Sequence, residues 1–198
     1  FSYETVNIFI FAVLIMIGSV VFTQERVSGF LPIVRVCRGG RITTALAKLA
    51  TMGIITIVVV LLFTLTSFGV FGTVLGYSSS ENALQVLTEF KLSQYIVSIG
   101  EYFILTIVIR LLTFIAFSSV LMLISAVVYN YSIVYMGGAA FFGLNFLLYT
   151  LKYTNADSPL KNLNFVATAS VTPLCVRFRA VNIFGNVLGH MSFMLTLF

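Results

Sequence analysis

The feature that most restricts the fold of this chain is the length of its uncharged apolar runs. No Asp, Glu, Lys or Arg occurs between residues 49 and 80, or between residues 111 and 151. A soluble domain contains about 25% charged residues, whereas only 9% of this chain is charged and 60% is hydrophobic. A chain of 198 residues cannot hide that much apolar surface in one core, so most of it must contact lipid.

The runs are long enough to predict individual membrane helices, each of which needs about 20 mostly apolar residues. The run at 111–151 is too long for one helix and suits two, with a turn near the sequence YNYS at 129–132. The fold class predicted is an all-α polytopic transmembrane protein, a single membrane domain over residues 1–198 with about five membrane-embedded helices plus an interfacial segment. The predicted spans are 6–22, 50–77, 95–128, 132–151 and 168–198.

A basic segment, residues 24–48, separates the first two predicted spans. It contains Arg26, Arg35, Arg38, Arg41 and Lys48, five of the eleven basic residues, with Glu25 as the one acid. Basic loops stay on the cytoplasmic or matrix side of a membrane, so we expect this segment there, partly as a helix on the membrane surface. No nucleic-acid-binding pattern accompanies the charge, which therefore indicates contact with membrane lipids rather than with nucleic acid.

Other residues give weaker signals. Cys37 and Cys175 have neither metal-ligand nor redox spacing and are expected to be small packing residues. No cluster of acids for a metal and no Gly-rich phosphate loop is present, so we expect no metal and no cofactor. The pair Gly137-Gly138 indicates either close helix packing or a kink.

Polar residues are concentrated in the last predicted span, in the sequence RFRAVNIFGNVLGH from Arg177 to His190. If this stretch is a helix, a turn of 100° per residue places four polar side chains within an arc of about 80° and Arg177 about 160° from Arg179. The four are Arg179, Asn182, Asn186 and His190. A charge at the bilayer centre costs about 2.5 to 3.5 kcal/mol on insertion scales. The polar stripe must therefore face protein or water, either as a hydrogen-bonded seam between helices or as a path for protons.

The motif PLCVRFRAVNIFGNVLGH, residues 173–190, resembles the signature helix of subunit a of the F-type ATP synthase. The shared elements are Pro-Leu, an arginine, Phe-Gly-Asn and Gly-His, in that order. The resemblance implies that Arg179 is the essential arginine of the stator, and that Asn186 and His190 belong to the proton path. Asn182 joins them by its place on the stripe.

Two departures from the family pattern leave a second register open. The family arginine lies closer to the asparagine than Arg179 does, and the family has another long helix after this one. In the alternative register Arg110 is the essential arginine, Glu101 lies on the same helix, and Asn145 falls near a family glutamine. Phe114 and Ser119 then stand where the family has asparagine and histidine.

The resemblance implies proton translocation through the membrane sector of ATP synthase. The chain would contact a rotor ring of small hairpin subunits (subunit c), other ATP synthase membrane subunits and lipid, and chemistry on ATP would belong to other subunits. The departures favour a divergent mitochondrial version in the inner membrane, with a bacterial inner membrane as the alternative. Two other functions stay open: a membrane subunit of another respiratory complex, such as the proton-pumping NADH dehydrogenase, and a structural assembly subunit.

Overall fold

The computed structural model describes residues 3–21, 23–29, 40–75, 83, 98–128, 130–150, 164–170, 180–183 and 186–189. Most of these residues are helical. The helices are α1 Tyr3–Val21, α2 Thr23–Val27, α3 Gly40–Leu75, α4 Ile99–Val127, α5 Tyr131–Thr150 and α6 Phe165–Ala169, and the strands are β1 Ala180–Ile183 and β2 Asn186–Gly189.

Four of the described helices are long and apolar enough to cross a membrane. The candidate spans are Thr5–Glu25, Ile42–Val70, Ile99–Val127 and Tyr131–Thr150. They overlap the first four predicted spans, and the chain is a multi-pass helical membrane protein, as the sequence predicts. Helix α3 begins at Gly40, ten residues before the predicted start, so part of the basic segment is an extension of a membrane helix.

The bundle is organised around α4, which packs against α1, α3, α5 and α6. Its core is rich in aromatic side chains. The ring of Phe11 on α1 lies 4.7 Å from those of Phe114 and Phe117 on α4 and 4.9 Å from that of Phe142 on α5, measured between centroids. Edge-to-face and tilted rings at these distances attract one another by about 0.5 to 1.5 kcal/mol per pair beyond the area they bury. The phenylalanines therefore join three of the long helices.

Gly138 lets α5 approach the bundle closely. A Cβ atom at this position would lie 2.8 Å from Cδ2 of Leu121 on α4 and 3.2 Å from Cγ2 of Ile15 on α1. At Gly137 the nearest side-chain atom would be 3.7 Å away, an ordinary contact. Of the two interpretations of the glycine pair, close helix packing applies, and only Gly138 makes the close approach.

The two ends of the bundle differ in charge. At one end, which we call the basic end, Glu25 and Lys48 form a salt bridge of 2.9 Å that ties α2 to the first turns of α3. The opposite end, which we call the distal end, brings together the first residues of α1, the last residues of α5, and α6. If the basic end faces the cytoplasm or matrix, the distal end faces the other compartment.

The surface between the two ends is apolar. Met16 on α1, Ile54 on α3, Leu123 on α4 and Met136 on α5 are each more than 60% exposed. Such exposure would be costly in water, and it is the expected state of side chains that face lipid tails.

The predicted final span is wrong for the residues that are described between 164 and 189. Helix α6 ends at Ala169, and residues 180–183 and 186–189 are strands that pair antiparallel, with Asn182 opposite Val187 and Ile183 opposite Asn186. The residues Val181, Ile183 and Val187 are β-branched and favour extended backbone. The apolar composition of this segment did not distinguish helix from strand.

Candidate functional site

The most polar region of the described bundle surrounds α6, a five-residue helix lodged against α4 and α5. Its side chains Val166, Thr168 and Ala169 are buried, as are the flanking Asn164 and Ser170. Irregular backbone at membrane depth is tolerated only where protein surrounds it or where it lines a water-filled cavity. The backbone groups around α6 must therefore find their hydrogen-bond partners locally.

Asn164 fixes the start of α6. Its Oδ1 accepts hydrogen bonds from the backbone amides of Val166 at 2.9 Å and Ala167 at 3.3 Å, which satisfies two of the free amides at the helix start. Its Nδ2 donates to the carbonyl oxygen of Asn145 on α5 at 2.8 Å. One buried amide side chain therefore caps α6 and attaches it to α5.

Arg110 lies at the other end of α6. It projects from α4, only 1% of it is exposed, and its Nε donates to the carbonyl oxygen of Ala169 at 3.4 Å. This carbonyl belongs to the last residue of α6, where the helix leaves acceptors without intrahelical partners and where a positive charge is favourable. The bond is long for an N–H···O contact, so the charge contributes more than the hydrogen bond does.

The position of Arg110 along α4 can be converted to a depth in the bilayer, if α4 crosses it. It is eleven residues after the start of a 29-residue helix, or about 17 Å along a helix about 44 Å long. If α4 is centred in a hydrocarbon layer of about 30 Å, the Arg110 Cα is about 10 Å below the layer's surface. Ionisable residues at this depth face the bundle interior or a water-filled cavity, and they mark substrate or ion paths. Because a guanidinium does not lose its proton in proteins, the charge at this point is permanent.

The structure describes only part of the predicted site. Arg179 and His190 lie outside the described residues. Asn182 and Asn186 lie in β1 and β2, so the helical stripe that joined them is absent there. The physical reason is the change of backbone: in extended strands the 100° rotation per residue no longer applies.

Glu101 is a helix cap rather than a partner of Arg110. Its Oε2 accepts a hydrogen bond from the backbone amide of Ser98 at 2.9 Å, and its own amide donates to Oγ of Ser98 at 3.2 Å. This reciprocal pair is a capping box at the exposed start of α4. Arg110 and Asn145, two residues of the alternative register, both contact the α6 region: Arg110 contacts Ala169, and Asn145 accepts a hydrogen bond from Asn164. The sequence did not predict that α6 lies between them.

Sequence reasoning missed Asn7 and Asn164. Both are more than 90% buried. Asn7 was detectable as a lone amide in the apolar run of the first span, because a polar side chain at membrane depth is costly and needs a reason. Asn164 carried no such signal, since it lies in a polar stretch, and only its contacts reveal its role.

Comparison with known proteins does not identify the chain. No protein-family model, curated protein or solved structure matches it. Among the described residues, no group of three or more His, Cys, Asp or Glu side chains is placed to hold a metal ion.

Proposed function

We propose that this chain is the membrane-embedded transport subunit of a multi-chain, ATP-linked assembly. The observation that carries the proposal is the fully buried Arg110 against the end of α6, a short helix held inside a bundle of long apolar ones. A short helix at membrane depth with a buried charge at its terminus is an arrangement that transporters use for ion and substrate sites. The permanent charge would attract anionic groups and repel cations.

The energy for transport would come from a partner. The sequence has no Gly-rich phosphate loop and no acidic cluster that would hold a nucleotide-bound metal. ATP is present on the cytoplasmic or matrix side, which the basic end would face by its charge. An ATP-hydrolysing partner would therefore contact the basic end, where Glu25 and Lys48 hold α2 against α3.

The narrower proposal is proton translocation in an ATP synthase, in a mitochondrial or bacterial inner membrane. It is supported by the resemblance of residues 173–190, most of which lie outside the described residues. Arg110 fits the role of a stator arginine less well, because its guanidinium is buried within its own bundle. A carboxylate on a rotor subunit would reach it only if α6 moved.

A structural role for Arg110 is the alternative to transport, and one observation favours it. The bond from Arg110 to Ala169, together with the cap formed by Asn164, would fix α6 in place without any transport. The two roles differ in whether the charge itself is needed.

The experiment that tests the transport proposal starts from the native assembly. The tagged chain is purified from its own membranes in a mild detergent, and ATP hydrolysis and co-purifying chains are measured. We expect a co-purifying subunit that hydrolyses ATP, and loss of its association when Lys48→Glu reverses the charge at the basic end. The matched variant Glu25→Lys with Lys48→Glu should restore association if the salt bridge positions α2. A chain that purifies alone, without ATPase activity, would contradict the proposal.

A further inference from the structure

The short helix α6 is attached to the bundle firmly at its start. There Nδ2 of Asn164 donates to the carbonyl oxygen of Asn145 on α5 at 2.8 Å. The ring of Phe165 contacts the rings of Phe117 on α4 and Phe141 on α5, with 6.1 Å and 5.7 Å between centroids. A hydrogen bond and two ring contacts, shared between two long helices, therefore fix the first turn of α6.

The contacts at the end of α6 are of a different kind. Nε of Arg110 donates to the carbonyl oxygen of Ala169 at 3.4 Å, which is long for an N–H···O bond. The buried hydroxyl groups of Thr168 and Ser170 each donate to a carbonyl oxygen four residues earlier, at 3.0 Å. Because these two bonds lie within the α6 segment, they would move with it and do not hold it against α4 or α5.

A cavity lies beside this end of α6. It has a volume of about 120 Å³, it is bounded by α1 and α5, and Val166 and Ser170 of the α6 segment line it. Since Ser170 directly follows Ala169, the cavity adjoins the turn whose carbonyl oxygen contacts Arg110. A water molecule takes about 30 Å³ in the liquid, so the space equals that of about four waters. The end of α6 therefore has room to move into.

The contact with Ala169 also blocks Arg110 in the state observed. The carbonyl oxygen is a neutral acceptor, and an anionic oxygen would bind the guanidinium more strongly. A helix of five residues has little stability of its own, so the position of α6 depends on its contacts with the bundle. If its end moves away while its start stays in place, the guanidinium becomes open to an anionic group.

We propose that α6 is a hinged gate over Arg110. It turns about the anchor formed by Asn164 and Phe165, its end enters the cavity, and the charge of Arg110 is uncovered. The gate rests on the proposed transport function for its purpose, but the movement is measured on the chain alone. Loss of flux in Arg110→Gln beside an immobile α6 would support transport and overturn the gate.

Cysteine reactivity at the two ends of α6 tests the gate. Val166 and Ser170 both line the cavity and are 6% and 4% exposed, so a fixed α6 predicts similar reactivity at both. Each is replaced by cysteine in the full chain in lipid nanodiscs, in a background with Cys37→Ser and Cys175→Ser. The rate of reaction with a water-soluble methanethiosulfonate is then measured. We expect Ser170→Cys to react at least ten-fold faster than Val166→Cys. Equal rates, or no reaction at either position, overturn the proposal.

Two further variants assign the difference to a hinge. Arg110→Leu removes the contact at the end of α6, so Ser170→Cys should react at least five-fold faster still, with Val166→Cys unchanged. Asn164→Ala removes the anchor at the start, so the rate of Val166→Cys should approach that of Ser170→Cys. An equal increase at both positions in Arg110→Leu would indicate general loosening of the bundle and overturn the hinge.

A third variant keeps the test decisive if Arg110→Leu and Asn164→Ala do not fold. Phe146→Trp enlarges a ring that lines the cavity and removes the space that the end of α6 would enter. It should slow the reaction of Ser170→Cys at least ten-fold. The matched control is Leu144→Trp on the same helix, at a side chain that is 61% exposed, and it should leave the rate unchanged. An unchanged rate in Phe146→Trp contradicts the gate.

Discussion

At the scale of single residues, Gly138 is a position where α5 packs tightly against its neighbours. A Cβ atom there would lie 2.8 Å from the Leu121 side chain and 3.2 Å from that of Ile15. Overpacking of this kind costs about 1 to 3 kcal/mol, so Gly138→Ala should lower the melting temperature of the purified chain in nanodiscs.

Gly137→Ala is the matched control for that prediction. Its Cβ atom would meet Ile124 at an ordinary 3.7 Å, and alanine favours a helix over glycine by about 1 kcal/mol. The expected melting temperature is equal to or above that of the wild type. If both alanines behave alike, close approach at Gly138 is not what limits the packing of α5.

Arg177 and Arg179 test the family resemblance at the same scale. In a helix the two side chains point to nearly opposite sides, and Arg179 alone would share the stripe with Asn186 and His190. Under the resemblance, Arg179→Gln abolishes ATP-driven proton pumping in membrane vesicles while the complex still assembles, and Arg177→Gln leaves substantial pumping. In extended backbone, residues two apart lie on the same side, so equal effects of the two substitutions would rule out the helical stripe.

At the scale of elements, α6 depends on Asn164. Asn164→Ala removes the cap and the bond to Asn145, and loss of an N-cap costs about 0.5 to 2 kcal/mol. We expect faster amide hydrogen exchange over residues 165–170, measured by mass spectrometry. Asn164→Asp retains the accepting oxygens and loses only the donor to α5, so its exchange should lie between those of the wild type and the alanine variant. Unchanged exchange in both variants would show that α6 is held by packing alone.

The same scale shows which elements are predictable from the sequence. The four long helices follow from apolar length alone, because a bilayer fixes the length that an apolar helix needs. The start of α3 at Gly40 could not be predicted from the length of the apolar run. A helix can continue past the bilayer into a polar segment such as RITTALAK. The strands at 180–183 and 186–189 were missed because Val and Ile are as compatible with a short strand as with a membrane helix.

The candidate site was less predictable than the fold. Arg110 was recognised as an intramembrane charge, but its contact with Ala169 joins residues 59 positions apart in sequence. Asn7 and Ser170 meet at one cavity only because α1 and α6 reach the same end of the bundle. Such pairings depend on how the helices pack, and one sequence contains no direct signal for that.

At the scale of the whole molecule, the orientation in the membrane is the first property to test. The positive-inside rule places the segment 24–48 on the cytoplasmic or matrix side. A cysteine introduced near Arg38, in a background without Cys37 and Cys175, should react with a membrane-impermeant maleimide only from that side. A cysteine at Asn130 should show the same sidedness, because the α4–α5 connection lies at the basic end if α1, α3 and α4 each cross once. Labelling of either position from the opposite side would contradict this orientation.

The proposed transport role of Arg110 requires its charge, whereas a role in anchoring α6 does not. Arg110→Gln removes the charge and keeps a side chain able to donate a hydrogen bond to Ala169, whereas Arg110→Leu removes both. Thr113→Ala, one turn along the same buried face of α4, is the matched control, because its hydroxyl bonds only the carbonyl oxygen of Ile109 in its own helix.

ATP-driven ion flux is measured in sealed vesicles that contain the native assembly with each variant, together with the amount of assembled complex. If the charge serves transport, Arg110→Gln assembles normally and loses at least ten-fold in flux, Arg110→Leu is at least as impaired, and Thr113→Ala retains flux. Wild-type flux in Arg110→Gln, with loss of assembly in Arg110→Leu alone, would overturn the transport role and assign Arg110 a structural one.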